Sequence, residues 1–164
     1  NTHSLVHSLD MFPIECVIRT RATGSICRRL GTEDGLILEK PLFEFFLKDD
    51  DLGDPLINRN HIVSFGWAKD DELDEMISTS YKVNELLTKL FADSGMILVD
   101  FKLEFGISDG KILLGDEFTP DGCRLWDDET LEKLDKDRFR QDLGDVIESY
   151  HMVAHRLGMQ IKVD

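Results

Sequence analysis

The sequence predicts an α+β fold, with an antiparallel hairpin at its centre and helices flanking it. Three observations predict this. Residues 98–106, LVDFKLEFG, alternate apolar and charged side chains, and a second apolar run, KILLGDEF, follows the turn Ser108-Asp109-Gly110. Between about Asp70 and Asp93 the apolar positions Leu73, Met76, Ile77, Val83, Leu86, Leu87, Leu90 and Phe91 follow helical spacing instead. Strand-like runs come early in the chain, whereas the last third is helical in pattern.

Taken in order, ECVIR after Pro13 is a β-branched run that predicts a strand from about Ile14 to Arg19. Gly24-Ser25 opens a short helix, and Gly31 stands at its C-terminal end. GLILEK and PLFEFFLKDD read as short strands or extended segments. DDDLGDPLINRN is a turn-rich loop, acidic at its start. The helix from Asp70 ends at Gly95. Gly110 suits a hairpin turn that needs a positive φ. From Asp127 to Leu157 the pattern predicts one short helix and one long one.

Composition narrows the function. The chain has 164 residues, enough for one domain with a sizeable core. Its 41% hydrophobic content is that of neither a disordered tail nor a membrane protein, and no apolar run approaches the roughly 20 residues that span a bilayer. A net charge of −14 argues against a general nucleic-acid binder, which needs a basic surface to neutralise phosphates. Cys16, Cys27 and Cys123 are widely spaced with no CxxC pair, so reduced thiols and a cytoplasmic location are expected. The start, NTHSLVHSLD, has neither an initiator Met nor the features of a signal peptide, and reads as a chain entered partway.

Three constellations could carry chemistry. Residues 19–29, RTRATGSICRR, hold four of the nine arginines of an otherwise acidic chain. Guanidinium groups beside a helix start suit a phosphate or carboxylate, and a solvated basic patch is the plainer alternative. In the hairpin, Asp100, Lys102 and Glu104 share one face of a strand whose other face holds Val99, Phe101, Leu103 and Phe105. Period alone fits a half-buried strand with a solvated outer face. Glu104 and Asp116 together would instead suit Mg²⁺, which takes carboxylate oxygens along with substrate phosphates. Their meeting depends on register. A two-residue turn sends Asp116 to the apolar face, while a three-residue turn or a bulge at Gly115 brings it round to Glu104. The third constellation, Glu148, His151 and His155, lacks a further evident ligand, and its histidines, like His3 and His7, are expected to be ordinary surface residues.

The two informative stretches resemble a known family. FPIECVIRTRATGS (residues 12–25) and LVDFKLEFG are similar to the two signature segments of the SAICAR synthetase family, bacterial type. PLFEFFLKDD, DPLIN, GDEFTPDGCRLWD and DKDRFRQDLG extend the resemblance from about Met11 to the C-terminus. It implies a two-lobed ATP-binding fold in which residues 1–164 form mainly the C-terminal lobe, binding ATP, metal and ribotide. A β-rich lobe with a Gly-Lys segment over the ATP phosphates would precede it. The implied activity is a ligation in purine biosynthesis. With ATP and Mg²⁺, the amino group of L-aspartate is joined to the carboxylate of carboxyaminoimidazole ribotide, through an acyl phosphate. The resemblance assigns the metal to Glu104 and Asp116, and ribotide-phosphate contacts to Arg19, Ser25 and Arg124. It places Asp100 and Lys102 at the substrates, Lys48 and Asp54 near nucleotide and substrates, and Met11 against the adenine. A homodimer is compatible with it. Two rivals remain: another ATP-dependent phosphotransferase of similar fold, which would have no use for the arginine cluster, and a non-catalytic binding module.

Overall fold

The computed structural model describes residues 5–135, 137–140 and 146–159. In chain order it contains β1 (Asp10–Arg21), α1 (Ser25–Leu30), β2 (Ile37–Leu47), a 3₁₀ turn (Asp50–Leu52), β3 (Leu56–Ile57), α2 (Arg59–Ser64) and α3 (Asp70–Ala92). There follow β4 (Met96–Ser108), β5 (Lys111–Gly115), β6 (Cys123–Asp127), α4 (Asp137–Arg140) and α5 (Val146–Arg156). The expected α+β class is what the chain adopts. No helix among the described residues is long and apolar enough to cross a membrane.

The strands form one antiparallel sheet in the order β3-β2-β1-β4-β5, with β6 also pairing with β4. β4 is the spine. One edge of it carries β1, and the other carries β6 along its first half and β5 along its second. Register then fixes the two faces, because side chains alternate along each strand. Ile18 pairs with Phe101 and Cys16 with Leu103, so Ile14, Cys16, Ile18, Phe101, Leu103 and Phe105 build one apolar layer. α3 packs across this layer against β1 and β4. Its Leu73 and Met76 are fully buried there, each worth about 1.5–3 kcal/mol of transfer free energy. Glu72 accepts a hydrogen bond from the Lys69 backbone N–H at 2.8 Å and, with Asp70 and Asp71, places negative charge at the helix start.

Several elements depart from the pattern-based expectation. β1 is longer than predicted at both ends. β2 is one strand where two short segments were expected, since Pro41 falls within the irregularity between the Arg19–Leu42 and Arg21–Ile37 pairings. There a missing N–H costs no ladder bond. The loop after Lys48 contains β3 and α2, the latter capped by Asn58, which accepts from the His61 backbone N–H at 3.0 Å. Residues 127–134 are not helical. Asp127 accepts hydrogen bonds from the backbone N–H groups of Glu129 and Thr130 at 3.0 and 2.7 Å, which turns the chain instead. Trp126 then bridges to Lys133, and helix resumes at Asp137. Residue 136 and residues 141–145 of the expected final helices lie outside the described residues.

Candidate active site

The face of the sheet opposite α3 is charged. β1 presents Glu15, Val17 and Arg19, β2 presents Glu44 and Phe46, and β4 presents Asp100, Lys102 and Glu104. Asp100 pairs with Arg19 on one side and with Arg124 of β6 on the other. Most of these side chains are not solvated: Asp100 is 4% exposed, Glu104 3% and Arg19 4%, while Lys102 is partly exposed at the cleft. Charge at every second position of β4 therefore marks a built polar face rather than a wet one.

Two ion-pair ladders run across it. In the first, Arg19 Nη1 donates to Asp100 Oδ2 at 2.5 Å, and Arg124 Nη1 donates to the same oxygen at 2.8 Å. Each arginine is held from behind, Arg19 by Glu44 at 2.7 Å and Arg124 by Asp137 at 2.6 Å. In the second, Lys102 Nζ donates to Glu15 at 2.6 Å and to Glu104 at 3.0 Å, and Lys48 also pairs with Glu104. Stripping one partner from a fully buried pair such as Arg19–Asp100 typically costs about 3–5 kcal/mol, whereas the bonds of the partly exposed Lys102 and Lys48 contribute less. Burial pushes the Asp100 carboxyl above its ordinary pKa, with Arg124 and Arg19 pulling against the shift. Burial works to lower the Lys102 pKa, but its bonds to Glu15 and Glu104 outweigh this and the ammonium is raised.

An open cleft of about 820 Å³ lies over the first ladder. Arg19, Ser25, Asp54, Asp100, Lys102 and Arg124, drawn from both ends of the sequence, all line it. Ser25 enters at the start of α1, where Gly24 has φ 65° and leaves room for Arg124; a Cβ there would lie 2.7 Å from the guanidinium. Glu104 and Asp116 line a smaller adjoining pocket together with Lys102. The hairpin has the two-residue turn, with Ser108 paired to Lys111 and positive φ at Asp109 and Gly110. β5 ends at Gly115, opposite Glu104, and Asp116 follows with φ 61°. That left-handed step brings Asp116 into the pocket with Glu104. Burial raises the Asp116 pKa, but Glu117 and the ammoniums of Lys102 and Lys48 more than offset it, so the carboxyl sits below its ordinary value. Met11 lies outside both pockets, across from Gly106, with its thioether over Gly106 and Gly115.

Glu15, Glu44 and Asp137 complete the ladders although the sequence reading did not single them out. Glu44 carried a usable signal, since it alternates with Phe43 and Phe45 as the β4 charges alternate with their aromatic neighbours. Asp137 lies within the resembling segment DKDRFRQDLG, but no local pattern there reports its approach to Arg124. Glu148, His151, His155 and His7 are exposed, and His3 lies outside the described residues. Among the described residues no three His, Cys, Asp or Glu side chains gather to hold a metal. A metal here would rest on the Glu104–Asp116 pair, hard oxygen donors that suit a cation completing its shell with substrate oxygens and water. All three cysteines are free thiols.

The antiparallel sheet thus carries, on one face, an open cleft of small-molecule size lined by guanidinium and carboxylate groups. The family model for SAICAR synthetase matches residues 1–157. A phosphoribosylaminoimidazole-succinocarboxamide synthase of Alcanivorax borkumensis is 64% identical over 158 residues, covering 96% of this chain and 66% of its own. Two solved structures superpose closely. The Ehrlichia chaffeensis synthase has a TM-score of 0.90 at 43% identity, covering 94% of this chain and 67% of its own. A SAICAR synthetase in complex with ADP has a TM-score of 0.91 at 44% identity, covering 95% and 67%. The chain belongs to the SAICAR synthetase family. It spans about two thirds of the length of these relatives.

Proposed function

We propose that this chain is the ribotide- and metal-binding part of an ATP-dependent ligase that joins L-aspartate to the carboxylate of carboxyaminoimidazole ribotide. The observation that carries the reading is convergence. The residues of FPIECVIRTRATGS and LVDFKLEFG, far apart in sequence, meet on one charged sheet face beside one cleft. The arginine cluster gives a ribotide phosphate its counter-charge, which a phosphotransferase without a ribotide would not need, and Glu104 and Asp116, lining one pocket, offer the two carboxylates a metal would use.

In this reading the chain's residues bind and orient. Arg19, Ser25 and Arg124 hold the ribotide phosphate; Asp100 keeps the two guanidiniums apart and aligned. Lys102, held by Glu15 and Glu104, presents its ammonium to the substrate carboxylate. Lys48 and Asp54 stand near nucleotide and substrates, and Met11 meets the adenine. Glu104 and Asp116 would hold Mg²⁺, which supplies charge neutralisation for phosphoryl transfer. The ADP bound to a structural relative supports a nucleotide at this fold. A cytoplasmic setting and a homodimer belong to the same reading.

The test is a ligation assay of the complete protein with ATP, L-aspartate, Mg²⁺ and the carboxylated ribotide. Product formation that requires all four is expected. Turnover with another phosphate acceptor and none with the ribotide would overturn the assignment.

A further inference from the structure

Glu44 sits behind the cleft rather than in its wall, yet it is the hub of a closed ring of polar contacts. Arg19 Nε donates to Glu44 Oε2 at 2.7 Å, and Arg29 donates to Oε1. The same two arginines meet again at Ser25, whose Oγ accepts from Arg29 at 3.1 Å and lies 3.4 Å from Arg19 Nη2. Glu44 is 10% exposed, Arg19 4% and Arg29 27%, so two cations are held close together largely out of water. Two guanidiniums that share Glu44 and Ser25 repel each other, and the Glu44 carboxylate between them offsets that repulsion. The planar guanidinium also has a fixed fork. With Nε fixed on Glu44 and Nη1 on Asp100, the orientation of Arg19 is fully determined. Its Nη2 edge, the weakly bound one, is left towards Ser25 and the cleft.

We propose that Glu44 is a positioning residue for the substrate phosphate. It holds Arg19 with the Nη2 edge facing the cleft and screens Arg19 from Arg29. The inference rests on the proposed role of Arg19 as a phosphate contact. Without the carboxylate, Arg29 pushes Arg19 away, and the guanidinium swings on its remaining bond to Asp100. Phosphate binding suffers, while the nucleotide and the Lys102–Glu104 ladder, which Glu44 does not touch, are spared.

The experiment uses the complete enzyme as parent, Glu44→Gln, Arg19→Ala and the double variant. Steady-state KM is measured for each substrate, and binding of ribose 5-phosphate is measured separately. Glu44→Gln is expected to raise the ribotide KM at least tenfold, with kcat within threefold and the ATP KM unchanged. It should weaken ribose 5-phosphate to a similar degree. The double variant should be no worse than Arg19→Ala alone, because Glu44 acts through Arg19. Equal changes in all KM values, or effects that multiply in the double variant, would overturn the proposal. Should thermal melting show Glu44→Gln unfolded, Glu44→Asp, one methylene too short to reach both arginines, is read in the same way. A parent that binds ribose 5-phosphate but ligates nothing would refute the ligase reading and leave the Glu44 comparison intact.

Discussion

Arg19 and Arg124 stand in register on either side of Asp100, one on β1 and one on β6, and donate to the same carboxylate oxygen at 2.5 and 2.8 Å. Two guanidiniums that would repel in isolation are thereby held at one wall of the cleft, about 100 residues apart in sequence. Arg19→Ala or Arg124→Ala is expected to weaken ribotide binding far more than ATP binding. Each charge-assisted bond is worth about 1.5–3 kcal/mol, or roughly ten- to a hundredfold in affinity. Titrating the two ligands separately checks this, and equal losses for both would count against the phosphate assignment.

Gly24 admits Arg124 to that wall. It has φ 65°, and an added Cβ would meet the guanidinium at 2.7 Å. Gly24→Ala is expected to displace Arg124 and strain the turn into α1. The ribotide KM should rise at least tenfold, with a loss of about 1 kcal/mol or more in stability from the left-handed backbone. Ribotide kinetics together with urea unfolding measure both. An unchanged KM would mean that Arg124 does not need its present position.

Much of this was legible in the sequence because the signals were local. The period-two alternation of LVDFKLEFG reported a strand with one apolar and one charged face, and the helical spacing from Asp70 reported α3. What period cannot report is whether the charged face is wet. That depended on Arg19 of β1, backed by Glu44 of β2, and on Arg124 of β6 closing over Asp100, and these contacts are long-range. β6, no shorter than β5, escaped notice because it pairs with the distant first half of β4 rather than across a tight turn. The helical reading of residues 127–134 failed because the Asp127 side chain competes for the backbone N–H groups that a helix would use. The hairpin register could not be read either, since the placement of Asp116 turns on one left-handed residue after Gly115.

Asp135 gives the fold a pH dependence of unusual sign. Fully buried, it accepts from the Leu125 and Asp137 backbone N–H groups at 2.8 and 2.7 Å, yet burial pushes its pKa up to about 6. The folded chain therefore keeps this proton at pH values where the unfolded chain has lost it. Its contribution to stability is fully present below pH 4 and is lost as pH rises towards and through 6. Asp135→Asn removes the titration. The stability of the parent relative to Asp135→Asn is expected to fall by roughly 2 kcal/mol between pH 4 and pH 7. Urea unfolding of both proteins across that range checks the sign, and a difference that grows with pH would contradict it.

The charged face of β4 is proposed to work by holding a metal against substrate phosphates, with Glu104 buried on the strand and Asp116 brought beside it by the step after Gly115. Glu104→Gln and Asp116→Asn are close to isosteric, so the fold should survive while the charge that binds the cation is lost. The decisive measurement is steady-state ligation by the complete protein and each variant over a wide Mg²⁺ range, with circular dichroism to confirm folding. Because charge stabilisation dominates phosphoryl transfer, turnover is expected to fall by several orders of magnitude in either variant. Turnover within about tenfold of the parent at the same Mg²⁺, a barrier change of only about 1.4 kcal/mol, would contradict the assignment.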